Sequence, residues 1–586
     1  MKKFIFVSLL LTFVMALAAC GGGTQAPAGG GAAPARPETP AAGTGAATPA
    51  APAAPVAGDW QLGPENPMEI SMLIVTNQTE PAPNNRIANL MQERLGVTIT
   101  YEIVSPDLQA QRIGLMLTSG ILPDIIGSGE VEARLTEGGA LLRLDDYIDG
   151  GQFPNILEHV SPYRRRLSWA GGGVPDGLYT LPNYNRFYGN PPILGGTHWG
   201  SGFFIQKSVL EYHGFPSLDN MTLERYFDLI EGYMQSNPTI DGMPTIGFSF
   251  PAFPGQVWGM TNPPLFLAGH PNHGGFYIVN GVAHRYDTSQ YAEDYFRFLN
   301  QAFLRGLVDP ETFTLTQDQF LANMATGRVL GVHSQRWAFG TAHDSLVSRG
   351  EYDRTMVATM PVFPGRTPWY ADRDVMNIHQ GWAVASTTEH PERILAFIDA
   401  ILSEEWQILL SWGEEGIDYH VDADGFFYRT PEQRAEQNDL TWRASNRLMA
   451  FVDQMPKRQG TLSCGNAWGP GDQPSEFLAG LSDYDRSFLE AYGKRTWRDF
   501  LNDPPDNPVY YPAWSISLGP GSPADIANQQ LEDAAVQFLP GIIMAPEGQF
   551  DARWAEYVAH IGLIDIVTLE ATMTAGIQDR IARWGQ

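Results

Sequence analysis

The run Glu69-Ile70-Ser71-Met72-Leu73-Ile74-Val75 decides the fold class together with its next neighbours in the chain: Ile87, Leu90, Met91 and Leu95, then Val97-Thr98-Ile99-Thr100-Tyr101. The first run is short and apolar, as a buried strand of a parallel sheet requires. The four spaced residues mark one face of a helix, and Gly96 stands where a left-handed C-cap falls. Val97, Ile99 and Tyr101 alternate with threonines as a second strand. This alternation predicts α/β layers with parallel sheets, in which ligands sit at the carboxyl ends of strands.

The pattern continues outward. Thr222 is placed to N-cap a helix carrying Tyr226, Phe227 and Ile230. Pro391 opens a helix with Ile394, Leu395, Ile398, Ile401 and Leu402 on one face. The 586 residues suffice for about two to four domains, and no internal repeat is found. The 65 acidic residues outnumber 37 basic ones, giving a formal charge of −28. That field repels phosphate backbones and anionic headgroups, which argues against a nucleic-acid binder or a membrane-adsorbed helix. Only two cysteines, Cys20 and Cys464, are present. They exclude a disulfide scaffold, a cysteine zinc site and an iron–sulfur cluster.

Lys2 and Lys3 precede an apolar run from Phe4 to Ala19. A membrane span needs about 20 apolar residues, so residues 1–19 read as a secretory signal peptide. Its end, Leu17-Ala18-Ala19-Cys20, resembles the bacterial lipobox, in which the cysteine becomes the lipidated first residue. Residues 20–58 are almost wholly Gly, Ala, Pro and Thr, with Arg36 and Glu38 the only charges. Nothing there can be buried, and the stretch reads as a disordered tether. The expected product is exported and lipid-anchored to the outer face of a bacterial cytoplasmic membrane.

A search for catalytic motifs finds no G-x-S-x-G elbow, Walker loop, H-E-x-x-H or dinucleotide fingerprint. Asp422 and Asp424 before Gly425 faintly resemble a calcium loop, but an Asp-Gly turn explains them better. His270 and His273 lack further zinc ligands. Cys464 reads as a small buried residue rather than a nucleophile. Paired carboxylates for glycoside hydrolysis are neither excluded nor indicated by sequence.

An ordered series of segments then carries a resemblance. It begins with Arg112-Ile113-Gly114-Leu115-Met116-Leu117-Thr118-Ser119-Gly120-Ile121-Leu122-Pro123-Asp124-Ile125-Ile126. It continues through Gly139 to Ile148, Asp176 to Pro182, Arg305 to Glu311, Ala325 to Arg328, Glu389 to Glu392 and Gly413 to Tyr419, and ends with Gln530 to Leu563. The series resembles extracellular solute-binding lipoproteins of ABC importers, in particular the large LplA-like branch associated with uptake of complex sugars. The insert Asn185 to Thr197 and the Trp-rich stretch near Cys464 depart from the pattern.

The resemblance implies a two-lobed α/β fold of the periplasmic-binding-protein type II class, hinged between lobes, with the ligand cleft at their interface. Lobe 1 is expected from residues 59–185 plus 365–412, and lobe 2 from 198–360 plus 413–586. Crossings are expected near Pro182 to His198, near Met360 to Pro368 and around Trp412 to Gly416. The implied partners are an oligosaccharide, permease subunits and a membrane through a lipid on Cys20, with the chain monomeric and requiring no cofactor or metal.

Two other functions compete, a surface hydrolase or lyase acting on the same polymers and a ligand-sensing receptor subunit. Sugar recognition needs flat apolar faces and fixed hydrogen-bonding groups. Trp337, in Val332-His333-Ser334-Gln335-Arg336-Trp337, holds the place where sugar-binding relatives put a stacking ring. Trp199 and Trp258 are further candidates, with Gln335 and Arg336 beside Trp337. Arg336 would favour an acidic sugar or pair with a carboxylate. On lobe 1, Asn77, Ser128 and Glu130 follow strands and face the expected cleft. Asp124 is expected to orient its strand. Neutral oligosaccharide, uronate-containing fragments and peptide all remain open as ligands.

Overall fold

The structure is a computed structural model that describes residues 60–128, 132–170, 172–183, 196–253, 256–371, 381–503 and 505–585. Residues 1–19 and 20–58, expected to be signal peptide and tether, with Cys20, Glu130 and most of the 185–197 insert, lie outside the described residues.

Two sheets organise the chain. The first contains β1 (Met68–Val75), β2 (Val97–Val104), β3 (Ile125–Ser128) and β4 (Thr180–Pro182). The second contains β5 (Ser201–Gln206), β6 (Ile246–Ser249), β7 (Val329–Gln335) and β8 (Met356–Thr359). The chain then returns to the first sheet as β9 (Gly381–Val384). The strand orders are β2-β1-β3-β9-β4 and β8-β5-β7-β6.

The opening run behaves as its composition requires. β1 pairs in parallel with β2, Met68 opposite Val97 and Val75 opposite Val104, and with β3, Met72 opposite Ile125. Ile70, Met72 and Ile74 enter one core while Leu73 and Val75 enter another on the opposite face. Burial of such side chains is worth about 1.5–3 kcal/mol each, which is why an apolar run settles in the sheet centre. The helix Arg86–Leu95 ends at Gly96 with φ 70°, the left-handed cap its glycine permits. Thr222 caps helix Leu223–Ser236 by accepting from Arg225 N at 3.2 Å, and Pro391 begins helix Pro391–Ile401.

In the second sheet Phe203 and Phe204 point to opposite faces. Phe203 packs at 5.5 Å from Tyr226 and 6.1 Å from Phe248, whereas Phe204 meets Phe339 at 5.1 Å. The three long C-terminal helices, Pro523–Ile543, Phe550–Ile561 and Ile566–Trp584, close this second core with Leu531, Trp554, Tyr557 and Ile577. Among the described residues no single helix is long and apolar enough to cross a membrane.

The cores correct one expected boundary. Trp412, Tyr419, Phe427, Leu448, Phe451, Leu462 and Trp468 belong to the lobe 1 core, not to lobe 2. Arg86 of lobe 1 pairs with Asp418 at 2.7 Å and also with Glu414. Lobe 1 thus takes β1–β4 and 381–468, and lobe 2 takes 196–371 and the segment from about 485 onward. The crossing expected near 412–416 falls after Trp468 instead. Side chains buried there match either core in character, so only contact decides.

Asp124 orients β3 as expected: Oδ2 accepts from Ser71 N at 3.0 Å and Ser71 Oγ at 2.6 Å, and Oδ1 from Thr388 Oγ1 at 2.8 Å. Burial raises its pKa, but these bonds outweigh burial and hold it below its usual value. Asp422 is a hairpin turn whose Oδ1 accepts from Asp424 N and Phe426 N. Cys464, expected buried, is exposed, because Leu462 to Asn466 form a tight surface turn.

Candidate ligand cleft

The pairing pattern places the cleft. β4 runs parallel to β3, and β9 antiparallel to both, with Gly381 opposite Ser128 and Pro182. The first crossing therefore leaves, and the second re-enters, at the carboxyl ends of β1 and β3. In the second sheet Gln335, ending β7, lies opposite Ser201, beginning β5, and Thr359, ending β8, lies opposite Phe203. Both crossings thus meet that sheet at the carboxyl ends of β6, β7 and β8. The two crossings therefore join the sheets at carboxyl ends of strands, where α/β proteins bind ligands.

Lobe 2 supplies aromatic rings at this edge. Trp337 follows β7 in the turn Arg336–Phe339, and its side chain is 46% exposed. Its Nε1 donates to Gln335 Oε1 at 2.6 Å, which fixes the indole. Trp258 opens the short helix Trp258–Thr261 after β6 and lies 5.9 Å from Trp337, the planes inclined by 43°. β6 and β7 are parallel neighbours, so residues following each arrive at one place. His333 ties the two together from beneath. A carbonyl can only accept, so Nδ1 carries the proton donated to Gly259 O at 2.9 Å. Burial holds the His333 imidazole down to about 4, keeping it neutral. Trp199, 49% exposed, stands at the same edge before β5.

Arg336 does not join them. It is 6% exposed, and its guanidinium lies inside lobe 2, 5.5 Å from the Trp199 ring and 5.2 Å from the Phe339 ring. Successive residues of the turn point to different sides, so adjacency to Trp337 sends Arg336 inward.

Lobe 1 supplies polar groups. Asn77 is half-buried just beyond β1. Ser128 ends β3, with only its backbone described. Four further residues, missed in the sequence, gather there. Thr76 Oγ1 donates to Asp453 Oδ2 at 2.6 Å, Gln454 Nε2 donates to Val75 O at 3.1 Å, and Asn183 Nδ2 donates to Gln454 Oε1 at 3.1 Å. They reach the strand ends because helix Met449–Gln454 lies across β3 at Gly127, where a Cβ would stand 3.2 Å from Gln454 Cβ. The order of elements offered no signal for this helix.

The lobes also touch away from the crossings. Arg443 pairs with Asp344 at 3.1 Å, Ser517 Oγ donates to Glu137 Oε1 at 3.4 Å, and the Arg166 guanidinium lies 5.5 Å from the Trp584 ring centroid. Among the described residues no group of three or more His, Cys, Asp or Glu is placed to hold a metal ion.

This two-lobed fold, with its two crossings at strand ends, is shared with solved ABC-transporter solute-binding proteins. The chain is similar to an HMO-binding ABC-transporter-associated solute-binding protein from Bifidobacterium longum infantis, with a TM-score of 0.60 at 17% identity, over 87% of this chain and 99% of that one. The S. pneumoniae ABC-transporter substrate-binding protein FusA, in complex with kestose, gives a TM-score of 0.60 at 15% identity, over 88% and 100% of the two chains. The alginate-binding protein AlgQ2 gives 0.60 at 13% identity, over 87% and 98%. No family model and no curated protein matches the chain.

Proposed function

We propose that the protein is the substrate-binding lipoprotein of an ABC importer, capturing an extracellular oligosaccharide between its lobes and delivering it to permease subunits. The observation that carries this reading is the exposed Trp337, held by Gln335 and paired with Trp258 at the strand ends of lobe 2. On this reading the amides of Asn77, Asn183 and Gln454 at the strand ends of lobe 1 form the other wall. Aromatic faces suit the C–H sides of sugar rings, and amides can both donate and accept toward hydroxyls. The similar solved structures are binding proteins, and one holds kestose. In this reading residues 1–19 are removed, Cys20 carries the lipid, and residues 20–58 form the tether. Glu130 and Ser128 complete the lobe 1 wall, the protein acts as a monomer, and it catalyses no reaction.

The test is a thermal-shift panel over neutral and acidic oligosaccharides and peptides, followed by calorimetric titration. A ligand at 100 times its dissociation constant adds about 2.7 kcal/mol of stability. A shift with peptides and none with sugars would overturn the ligand class. Sugar turnover sensitive to a carboxylate substitution would overturn the binding-only role in favour of a hydrolase or lyase.

A further inference from the structure

A separate cavity lies inside lobe 2, against the sheet face that carries Phe204. It holds about 60 Å³ and is lined by Lys207, Arg336, His198, His343, Phe204 and Trp497, among others. A water needs roughly 10–15 Å³ by the same measure, so a small ion with a water fits and a sugar ring does not.

The charges around it do not balance. Lys207, 2% exposed, bonds Asp485 Oδ1 at 2.5 Å, and its Nζ lies 3.9 Å from the Trp497 ring centroid. Asp485 therefore answers Lys207. Arg336 has no such answer. Its Nη1 is buried without a hydrogen-bond partner, and Asp344, the carboxylate whose field it feels, is bonded to Arg443. The Nδ1 of His343 is likewise buried and unpartnered. His198 has already committed Nε2 to Ser201 O at 2.9 Å. Burial lowers the Arg336 pKa only to about 10, so it remains a cation at neutral pH. An uncompensated buried guanidinium is strongly destabilising, and two neighbouring orphaned nitrogens are uncommon in one cavity.

We propose that this cavity binds a small monovalent anion of chloride's size, held by Arg336 Nη1 and a ring N–H of His343 within the positive field of Lys207. Such an ion would supply the missing counter-charge and accept the orphaned donors together. The site is distinct from the cleft and stands whether or not the cleft binds sugar.

Two measurements on the full chain decide it. Crystals grown in sodium bromide should show an anomalous peak in the cavity within hydrogen-bond reach of Arg336. Melts in sodium chloride should exceed those in sodium gluconate of equal ionic strength by about 1–3 °C, saturably. Arg336→Met should abolish that difference. A cavity without a bromide peak, equal melts in the two salts, or a chloride response retained by Arg336→Met would each overturn the proposal. If Arg336→Met does not fold, the bromide map of the unaltered protein decides alone.

Discussion

Thr76 and Asp453 stand 377 positions apart, yet Thr76 Oγ1 donates to Asp453 Oδ2 at 2.6 Å, joining the end of the first strand to a helix beyond both crossings. Asp453→Ala would leave that hydroxyl without its acceptor and the Gln454 amide with Val75 O alone. A stability loss of about 1–2 kcal/mol is expected, with weaker oligosaccharide binding because Gln454 loses support. Melting and calorimetry on this variant check both. No change in either would remove the helix from the lobe 1 wall.

Trp337→Ala should weaken ligand binding by roughly 1–3 kcal/mol while leaving the melt nearly unchanged, since a half-exposed ring at a binding hot spot supports no core. A packed core residue would instead cost about 3–5 kcal/mol of folding stability. Lost stability with unchanged affinity per folded molecule would assign Trp337 to packing.

Acid should destabilise the protein through histidines buried in their neutral form. Burial holds His159, His198 and His333 to about 4 and His273 to about 3. Unfolded imidazole titrates near 6.5, so between about pH 6.5 and 4 only the unfolded chain takes up these protons. Stability is full above that window and falls as pH drops through it, by about 3 kcal/mol for a fully buried histidine at its lower end. His333→Asn, whose amide can replace Nδ1 as donor to Gly259, should flatten the slope. An unchanged slope between pH 6.5 and 4 would show that His333 is not proton-linked.

The Arg443–Asp344 pair bridges the lobes with the arginine side chain only 11% exposed. Arg443→Met should favour a more open arrangement in the unliganded protein, seen as a larger radius of gyration by small-angle scattering. Ligand should restore the wild-type value. Identical scattering curves without ligand would mean that the pair does not bias the lobes.

What can be read in the sequence is local or ordered. The strand Glu69 to Val75, the Gly96 cap and the Thr222 cap depend on a few neighbouring residues. The position of Trp337 just after a strand is legible in the sequence; that parallel pairing of β6 and β7 brings Trp258 beside it is visible only in the structure. Arg336 departs from expectation because a one-residue step in a turn reverses the side a group faces. The share of lobe 1 beyond Gly413 departs from it because Tyr419, Phe427 and Phe451 suit any apolar core. Asp453, Gln454 and Asn183 leave no trace, since their role depends on contacts across hundreds of residues.

The interleaving of the two sheets also sets the order in which the parts of each lobe emerge during synthesis. β3 and β4 do not touch one another; β9 lies between them, and the chain must pass through all of the second sheet before supplying it. An emerging polypeptide ending at residue 371 would hold every strand of the second sheet, yet the first would remain split into two unjoined parts. Lobe 1 becomes complete when Trp468 is available, whereas lobe 2 still waits for the helices from Pro523 to Trp584. Neither lobe has all its strands and helices in its own opening segment; during synthesis the last parts of lobe 1 emerge before the C-terminal helices that complete the lobe 2 core.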